Sequence, residues 1–460
     1  MKVPLSWLKE YVDVEISHKE LAEKLTFAGL EVKSLEQIKD PYEGIVVAEI
    51  LDIQPHPNAD RLLLCRINDG EREHNIVCGA RNMSVGDKVP FIRAGYSLPD
   101  GTKIRKAVIR GKESDGMLCS ERELGISDNH SGIMILPRTT ITGTPFGVLY
   151  GGVDYVFDIE VTWNRPDLLS VIGIAREVAA ITGKKIHLPE VNYREDEDRI
   201  NSYIDVDVRD NQACPRYVAR VVREVKLQES PLWLKRRLEA CGIRAISNIV
   251  DITNYVMLEC GQPLHAFDIA RLRGRKIIVR KAKEGERIKL LDGSERELTV
   301  SDLVIADEEI PVALAGVMGG EDSGINDTTS QILIESACFN PVLISNTARR
   351  LRISTESSMR FERGIDIVGV DWASRRAISL IQQIAGGHSP SGSIDIFLLP
   401  PETRRISCQF QRISNLLGIE VPREKVVSIF TGLELKVEMD ANGSGCSVTI
   451  PAFRGDLKCE

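Results

Sequence analysis

No stretch of the 460-residue chain approaches the ~18 consecutive apolar residues of a membrane-spanning helix, so no membrane association is expected. Lys9, Glu10 and Asp13 interrupt the apolar residues near the start, and a secretory leader is not expected there. The ten cysteines include no Cys-x-x-Cys pair and follow no regular spacing. They are read as reduced thiols of a cytoplasmic protein, not as a disulfide framework. The seven histidines are dispersed, without the spacing of a zinc site. A Gly-x-x-x-x-Gly-Lys-Ser/Thr phosphate loop is also missing. The net charge of −8 argues against a protein that coats nucleic acid non-specifically, but it leaves room for a local basic track.

What is present is ordinary for a soluble globular chain: 43% hydrophobic and 27% charged residues. At about 150 residues per domain the length predicts three or four domains. The first forty residues read as a helix and a strand. Ser17 and Glu20 fit a capping box, Leu21, Leu25 and Ala28 form one apolar face, and Gly29 ends the helix. From residue 44 to 137 the texture changes to short strands with glycine and proline turns, which suggests a small barrel. That region carries a basic segment, Lys103, Arg105, Lys106, Arg110 and Lys112, with no acidic residue inside it. Such a segment suits either nucleic-acid contact or a solvated strand edge kept from pairing by its lysines.

An α/β pattern resumes after residue 151. Asn164, Pro166 and Asp167 read as helix-start residues, Val171, Ile174, Ala175 and Val178 as the buried stripe, and Gly183 as the stop. The acidic run 194–199 reads as a solvated linker. Further on, Ser230 and Pro231 start a helix, and 370–384 forms another that ends at Gly386-Gly387. The last sixty residues repeat the opening texture: FTGLELKVEM echoes FAGLEVKSLE.

The most informative stretch is 311–364. An apolar strand turns on Gly316, Gly319 and Gly320, where the backbone can take positive φ or approach a ligand closely. A second strand, 332–334, delivers Glu335 into apolar surroundings, which is costly for a carboxylate without a partner or a task. Arg349, Arg350, Arg352, Arg360 and Arg363 follow, against only Glu356 and Glu362. A basic strip beside a glycine-lined pocket points to an anionic, phosphate-bearing substrate. The partner stretch is SNIVDITNYVMLECGQPLHAFD, residues 247–268, with His265 after a Gly-Gln-Pro turn.

That run, together with LAGVMGG, IESACF, TARR and RFERG between 314 and 364, resembles the editing module of bacterial phenylalanyl-tRNA synthetase β subunits. The opening MKVPLSWLKEYVDV, the barrel-like region ending GMLCSERELG and the final VTIPAFRGDLKCE resemble the same family. The resemblance implies an α+β multidomain chain. Residues 1–40 plus 151–195 would form a discontinuous α/β domain interrupted by an OB-fold tRNA-binding barrel at 41–150. A B3/B4 editing domain at 200–399 and a B5 domain at 400–460 would follow. Family members continue through further domains.

The resemblance also implies a division of labour. Attachment of phenylalanine to tRNA(Phe), with ATP and Mg²⁺, belongs to the complete enzyme of two α and two β subunits, and its active site lies on α. This chain would hydrolyse the ester of mischarged tyrosyl-tRNA(Phe), needing no cofactor. A hydrophobic synthetic pocket rejects an isostere that adds a hydroxyl by only about a hundredfold, so a second pocket is required. By resemblance Glu335 accepts a hydrogen bond from the tyrosine phenol, and His265 sits near the ester and ribose. Gly316 and Gly319 shape the wall, and Asn254, Thr355 and Ser357 complete the polar lining. Ser357 stands where the family often carries alanine. Arg360 and Arg363 are candidate phosphate contacts, and Asp456 the first member of an acidic Mg²⁺ cluster. The competing readings are structural: a satisfied core histidine at 265, a Glu335–arginine ion pair, and a surface ion-pair network of arginines. At the level of function they are a tRNA-binding module without hydrolysis and a free-standing deacylase acting in trans.

Overall fold

The computed structural model describes residues 1–127, 129–150 and 152–459. Two compact units emerge: Glu36–Val156 with Pro231–Arg236, and Met1–Leu35 with Phe157–Ser230 and Arg237–Glu460. Among the described residues no helix is long and apolar enough to cross a membrane.

In the smaller unit the apolar start of Ile45–Pro55 makes it a central strand buried on both faces from Ile45 to Ala48. Val46, Ala48 and Ile50 pack with Cys65, Ile67, Ile76 and Phe91, while Ile45 and Val47 pack with Tyr42, Ile92 and Phe146. Around it lies a five-stranded antiparallel sheet, in the order Glu73–Cys78, Leu63–Asn68, Ile45–Pro55, Lys88–Arg93, Gly116–Leu118. Asp115 N–H donates to the carbonyl of Asn75 at 3.0 Å, so the two ends of the sheet approach each other and it is nearly closed.

In the larger unit the strand Lys2–Pro4 and the short helix Leu5–Leu8 lead into the helix His18–Phe27. Ser17 caps it by accepting from Glu20 N–H, but Glu20 turns its carboxylate toward Lys24 instead of completing the predicted box. The helix expected from Asn164 divides in two. Pro166–Leu168 is a single 3-10 turn, and the α-helix Val171–Thr182 begins only after Ser170, which accepts from Gly173 N–H at 3.0 Å. Asp167 is unavailable as its cap because its carboxylate is engaged by Arg165. Ser230 likewise donates to Asp251 instead of capping the helix Leu232–Ala240. The run read as a linker is a short strand, Glu195–Arg199, parallel to Ser389–Ser391. Two of its acids are answered from the end of the strand Arg216–Arg223: Arg223 lies 2.6 Å from Asp196 and 3.5 Å from Asp198.

Two sheets make the centre of this unit. One runs Leu264–Asp268, Gln331–Cys338, Arg216–Arg223, Ile394–Phe397, all antiparallel. The other contains Asp205–Val208, Lys276–Lys281, Leu303–Ala306, Pro311–Leu314 and Met318–Gly319. Tyr217, Phe267, Val279, Ile305, Leu314 and Leu333 belong to their common core. The helices Asn248–Cys260 and Val370–Ile384 pack against each other, and the final residues form the sheet Arg404–Gln409, Gly445–Ile450, Lys436–Met439 with two helices.

A buried polar knot ties the helix Asn248–Cys260 in place. Glu259, fully buried, receives bidentate hydrogen bonds from Arg376 at 3.0 Å and accepts from the Tyr11 hydroxyl at 2.6 Å. Trp7 donates to Tyr11 and stacks on Tyr255 at 4.5 Å. Removing one partner of such a pair leaves an uncompensated buried charge. Glu259→Ala is therefore expected to lower unfolding free energy by about 3 kcal/mol in urea titration, against a few tenths for the exposed Glu297→Ala.

Candidate functional site

Antiparallel pairing sets His265 directly opposite Glu335, so both side chains leave the sheet on one face. Beneath that face is a cavity of about 300 Å³. Its lining includes every pocket residue expected from the sequence: Asn254, His265, Gly316, Gly319, Glu335, Thr355 and Ser357. Met257, Pro263, Leu264, Leu291, Ile305 and Leu314 add apolar walls. These escaped the sequence reading because an apolar residue on a core element carries no signal of its own.

The two glycines act differently. Gly316 has φ +68°, a left-handed conformation that a side chain would strain, and a Cβ there would meet Ile344, Phe339 and Phe361 at 3.1 Å. Gly319 is needed for space: a Cβ would lie 2.4 Å from His265 Cε1 and 2.8 Å from Nε2. Thr355 and Ser357 hold this loop. The Thr355 hydroxyl caps the helix Glu356–Arg363 by accepting from Ser358 N–H and donates to the carbonyl of Val317 at 2.9 Å. The Ser357 hydroxyl donates to the carbonyl of Gly316 at 3.1 Å. Both are thus committed to satisfying backbone that no strand pairing serves.

Neither central titratable group has found a partner. Glu335 Oε2 and His265 Nε2 are shielded from solvent without a hydrogen bond. No arginine of the TARR run reaches Glu335; Arg350 pairs with Asp302 instead. Desolvation pushes the Glu335 carboxyl up from its ordinary 4.5 to about 8, and pulls the His265 imidazole down from 6.5 to about 4. At neutral pH the imidazole is neutral and the carboxyl largely protonated. Phe267 packs edge-on against the His265 ring at 4.4 Å and fixes its plane.

The remaining candidates lie elsewhere. Arg360 is 1% exposed and spends its guanidinium on Glu356 and the carbonyl of Leu169. Arg363 lies over the Trp163 ring at 4.5 Å and donates to the carbonyl of Val161. Both border a separate cavity of about 630 Å³, not the one under Glu335. Asp456 borders that second cavity too, with both carboxylate oxygens accepting from Arg454 at 2.9 Å. Among the described residues no group of three His, Cys, Asp or Glu side chains could hold a metal ion, and the Asp456 carboxylate is engaged by Arg454. In the smaller unit Lys103, Arg105, Lys106, Arg110 and Lys112 are all exposed on and before the hairpin Ala107–Ile109/Lys112–Ser114. Lys106 is neutralised by Asp115 at 2.8 Å.

Comparison with known proteins gives three family matches: a B3/4 domain at residues 213–386, a putative tRNA binding domain at 45–145 and a tRNA synthetase B5 domain at 406–460. The phenylalanine--tRNA ligase beta subunit of Geobacter sulfurreducens is 46% identical over 460 residues, covering 100% of this chain and 57% of the relative. That of Syntrophus aciditrophicus is 44% identical over 459 residues, covering 99% and 57%. The chain therefore spans little more than half the length of these relatives. A solved N-terminal fragment of the phenylalanyl-tRNA synthetase beta-subunit from Pyrococcus horikoshii aligns with 66% of this chain and 84% of its own, at 15% identity and a TM-score of 0.33.

The cavity makes two checkable demands. Because Glu335 is held above its unfolded value, its contribution to stability is intact below pH 4.5 and is lost as pH rises through about 8. His265 works in the other direction, with its contribution intact above 6.5 and lost as pH falls through about 4. Urea midpoints measured across that range should show Glu335→Gln removing the decline between 4.5 and 8 while leaving the acid limb in place. Gly319→Ala should displace the imidazole, seen as a changed His265 ring resonance in NMR, with Tm lowered by a few degrees.

Proposed function

We infer that this chain, which matches an N-terminal portion of the phenylalanine--tRNA ligase beta subunits from end to end, carries the hydrolytic editing site of such a ligase. Its substrate in this reading is tyrosine mis-esterified to the 3′-terminal adenosine of tRNA(Phe). The supporting observation is the lone, unpaired carboxyl of Glu335 in an apolar cavity, opposite His265.

The chemistry follows from that arrangement. The aryl ring fills the apolar walls and the phenol O–H donates to Glu335, whose neutral carboxyl still offers an acceptor oxygen. Phenylalanine would leave that buried group unsatisfied, a penalty of about 1–3 kcal/mol, or roughly tenfold to a hundredfold. His265, neutral and poorly basic, is suited to orienting the attacking water or holding the terminal ribose, not to abstracting a proton. Water adds to the acyl carbon, the acyl–oxygen bond breaks, and the ribose oxygen takes the proton, releasing tyrosine and tRNA. Asn254 offers an amide at the cavity edge, while Thr355 and Ser357 keep the loop of Gly316 in shape.

The smaller unit supplies auxiliary tRNA binding on an OB-type barrel, with its exposed lysines and arginines against phosphates. Domain limits of 1–40 plus 151–195, 41–150, 200–399 and 400–460 go with this reading. Attachment of phenylalanine, with ATP and Mg²⁺, falls to an α subunit in an assembly of two α and two β chains in the cytoplasm. No step here depends on Asp456 holding Mg²⁺, given its engagement by Arg454.

The test is deacylation of tyrosyl-tRNA(Phe), with phenylalanyl-tRNA(Phe) beside it. Selective release of tyrosine is expected, with kcat/KM lowered at least tenfold by Glu335→Ala. Retained tRNA binding without hydrolysis would favour a pure binding module.

A further inference from the structure

The hairpin Arg287–Lys289/Glu295–Glu297 presents charged side chains to solvent, and at its tip Leu291, beside Asp292, is 53% exposed. A single exposed leucine needs no explanation by itself. Leu291, however, lines the cavity of Glu335 and His265. The position a Cβ would take on Gly319 lies 3.0 Å from Leu291 Cδ1 and 2.4 Å from His265 Cε1, so the methyl and the imidazole edge converge above the same glycine. Its other methyl, Cδ2, lies 3.3 Å from the corresponding point on Gly324.

The backbone under this side chain is fixed. Leu291 N–H donates to the carbonyl of Gly319 at 3.0 Å, and Glu321 N–H donates to Lys289 at 2.9 Å. Leu290 is fully buried, and the turn is held by Gly293 N–H on the carbonyl of Leu290 and by Asp292 accepting from Ser294. A rigid turn thus carries one half-uncovered apolar side chain at the His265 end of the cavity.

We propose that Leu291 is a positioning residue for aminoacyl-ester hydrolysis: its isobutyl group covers the bound ester and terminal ribose at the mouth of the cavity and limits water there to the molecule that reacts. The inference rests on the editing reading above and adds the element that closes the site. Leu291 holds no proton and takes no part in bond making, so its loss acts on substrate retention.

Steady-state deacylation of tyrosyl-tRNA(Phe) by the unaltered chain, Leu291→Ala, Leu291→Met and Leu291→Glu tests it, with Glu297→Ala as the control on the same hairpin. Leu291→Ala should raise KM about tenfold with kcat within about twofold. Leu291→Met should restore KM, and Leu291→Glu should raise it further by repelling the terminal phosphates. All variants should share one Tm, since the side chain is half in solvent. Unchanged KM in Leu291→Ala, or a fall in kcat alone, overturns the role of Leu291 while leaving editing intact. Absence of hydrolysis by the unaltered chain overturns the editing reading and this one together.

Discussion

Two titratable side chains set face to face, Glu335 buried and His265 half-buried with its Nε2 shielded, have no charge to answer either of them and set the terms for the larger unit. The cross-strand register of His265 and Glu335 is fixed by a ladder that runs from Leu264–Ser336 to Asp268–Ile332, and slipping it by one residue would send both side chains to the opposite face. Desolvation then makes the neutral forms the stable ones, the imidazole without its proton and the carboxyl with one. A neutral imidazole and a neutral carboxyl each keep a hydrogen-bond donor and an acceptor, so the pair is equipped to bond a hydroxyl. The turn 315–317 is the cost of leaving the cavity open, and Thr355 and Ser357 offset it by satisfying the carbonyls of Val317 and Gly316.

The helix Asn248–Cys260 links this cavity to the rest of the unit through its two faces. Asn254 and Met257 look into the cavity, while Tyr255 and Glu259 join the buried knot with Trp7, Tyr11 and Arg376. Burying an ion pair is expensive in free energy unless its hydrogen bonds are satisfied, and those of Glu259 are, by Arg376 and Tyr11. Here the pair fixes the rotation of the helix that carries Asn254.

Much of this was legible in the sequence, and the failures have physical causes. The strand-borne Glu335 stood out because an isolated carboxylate in an apolar run contradicts its surroundings, and the glycines around 316–320 stood out because nothing else in the pattern needed them. Buried stripes such as Val171, Ile174, Ala175 and Val178 followed from periodicity alone. The acidic run 194–199 misled because its neutralising arginine, Arg223, is remote in sequence. Arg360 misled for the same reason: a cation in a basic strip gives no hint that Leu169, far upstream, will take its N–H group. Leu291 was invisible because a leucine draws notice only once its neighbours are known.

The knot at Glu259 also bears on the order in which the molecule is made. In the order of synthesis Trp7 and Tyr11 precede Glu259, and Arg376 follows all three. The buried hydrogen bonds that join Tyr11, Glu259 and Arg376 therefore cannot be completed until Arg376 has been made. The helix beneath the cavity reaches its final setting only once the chain has emerged past Arg376.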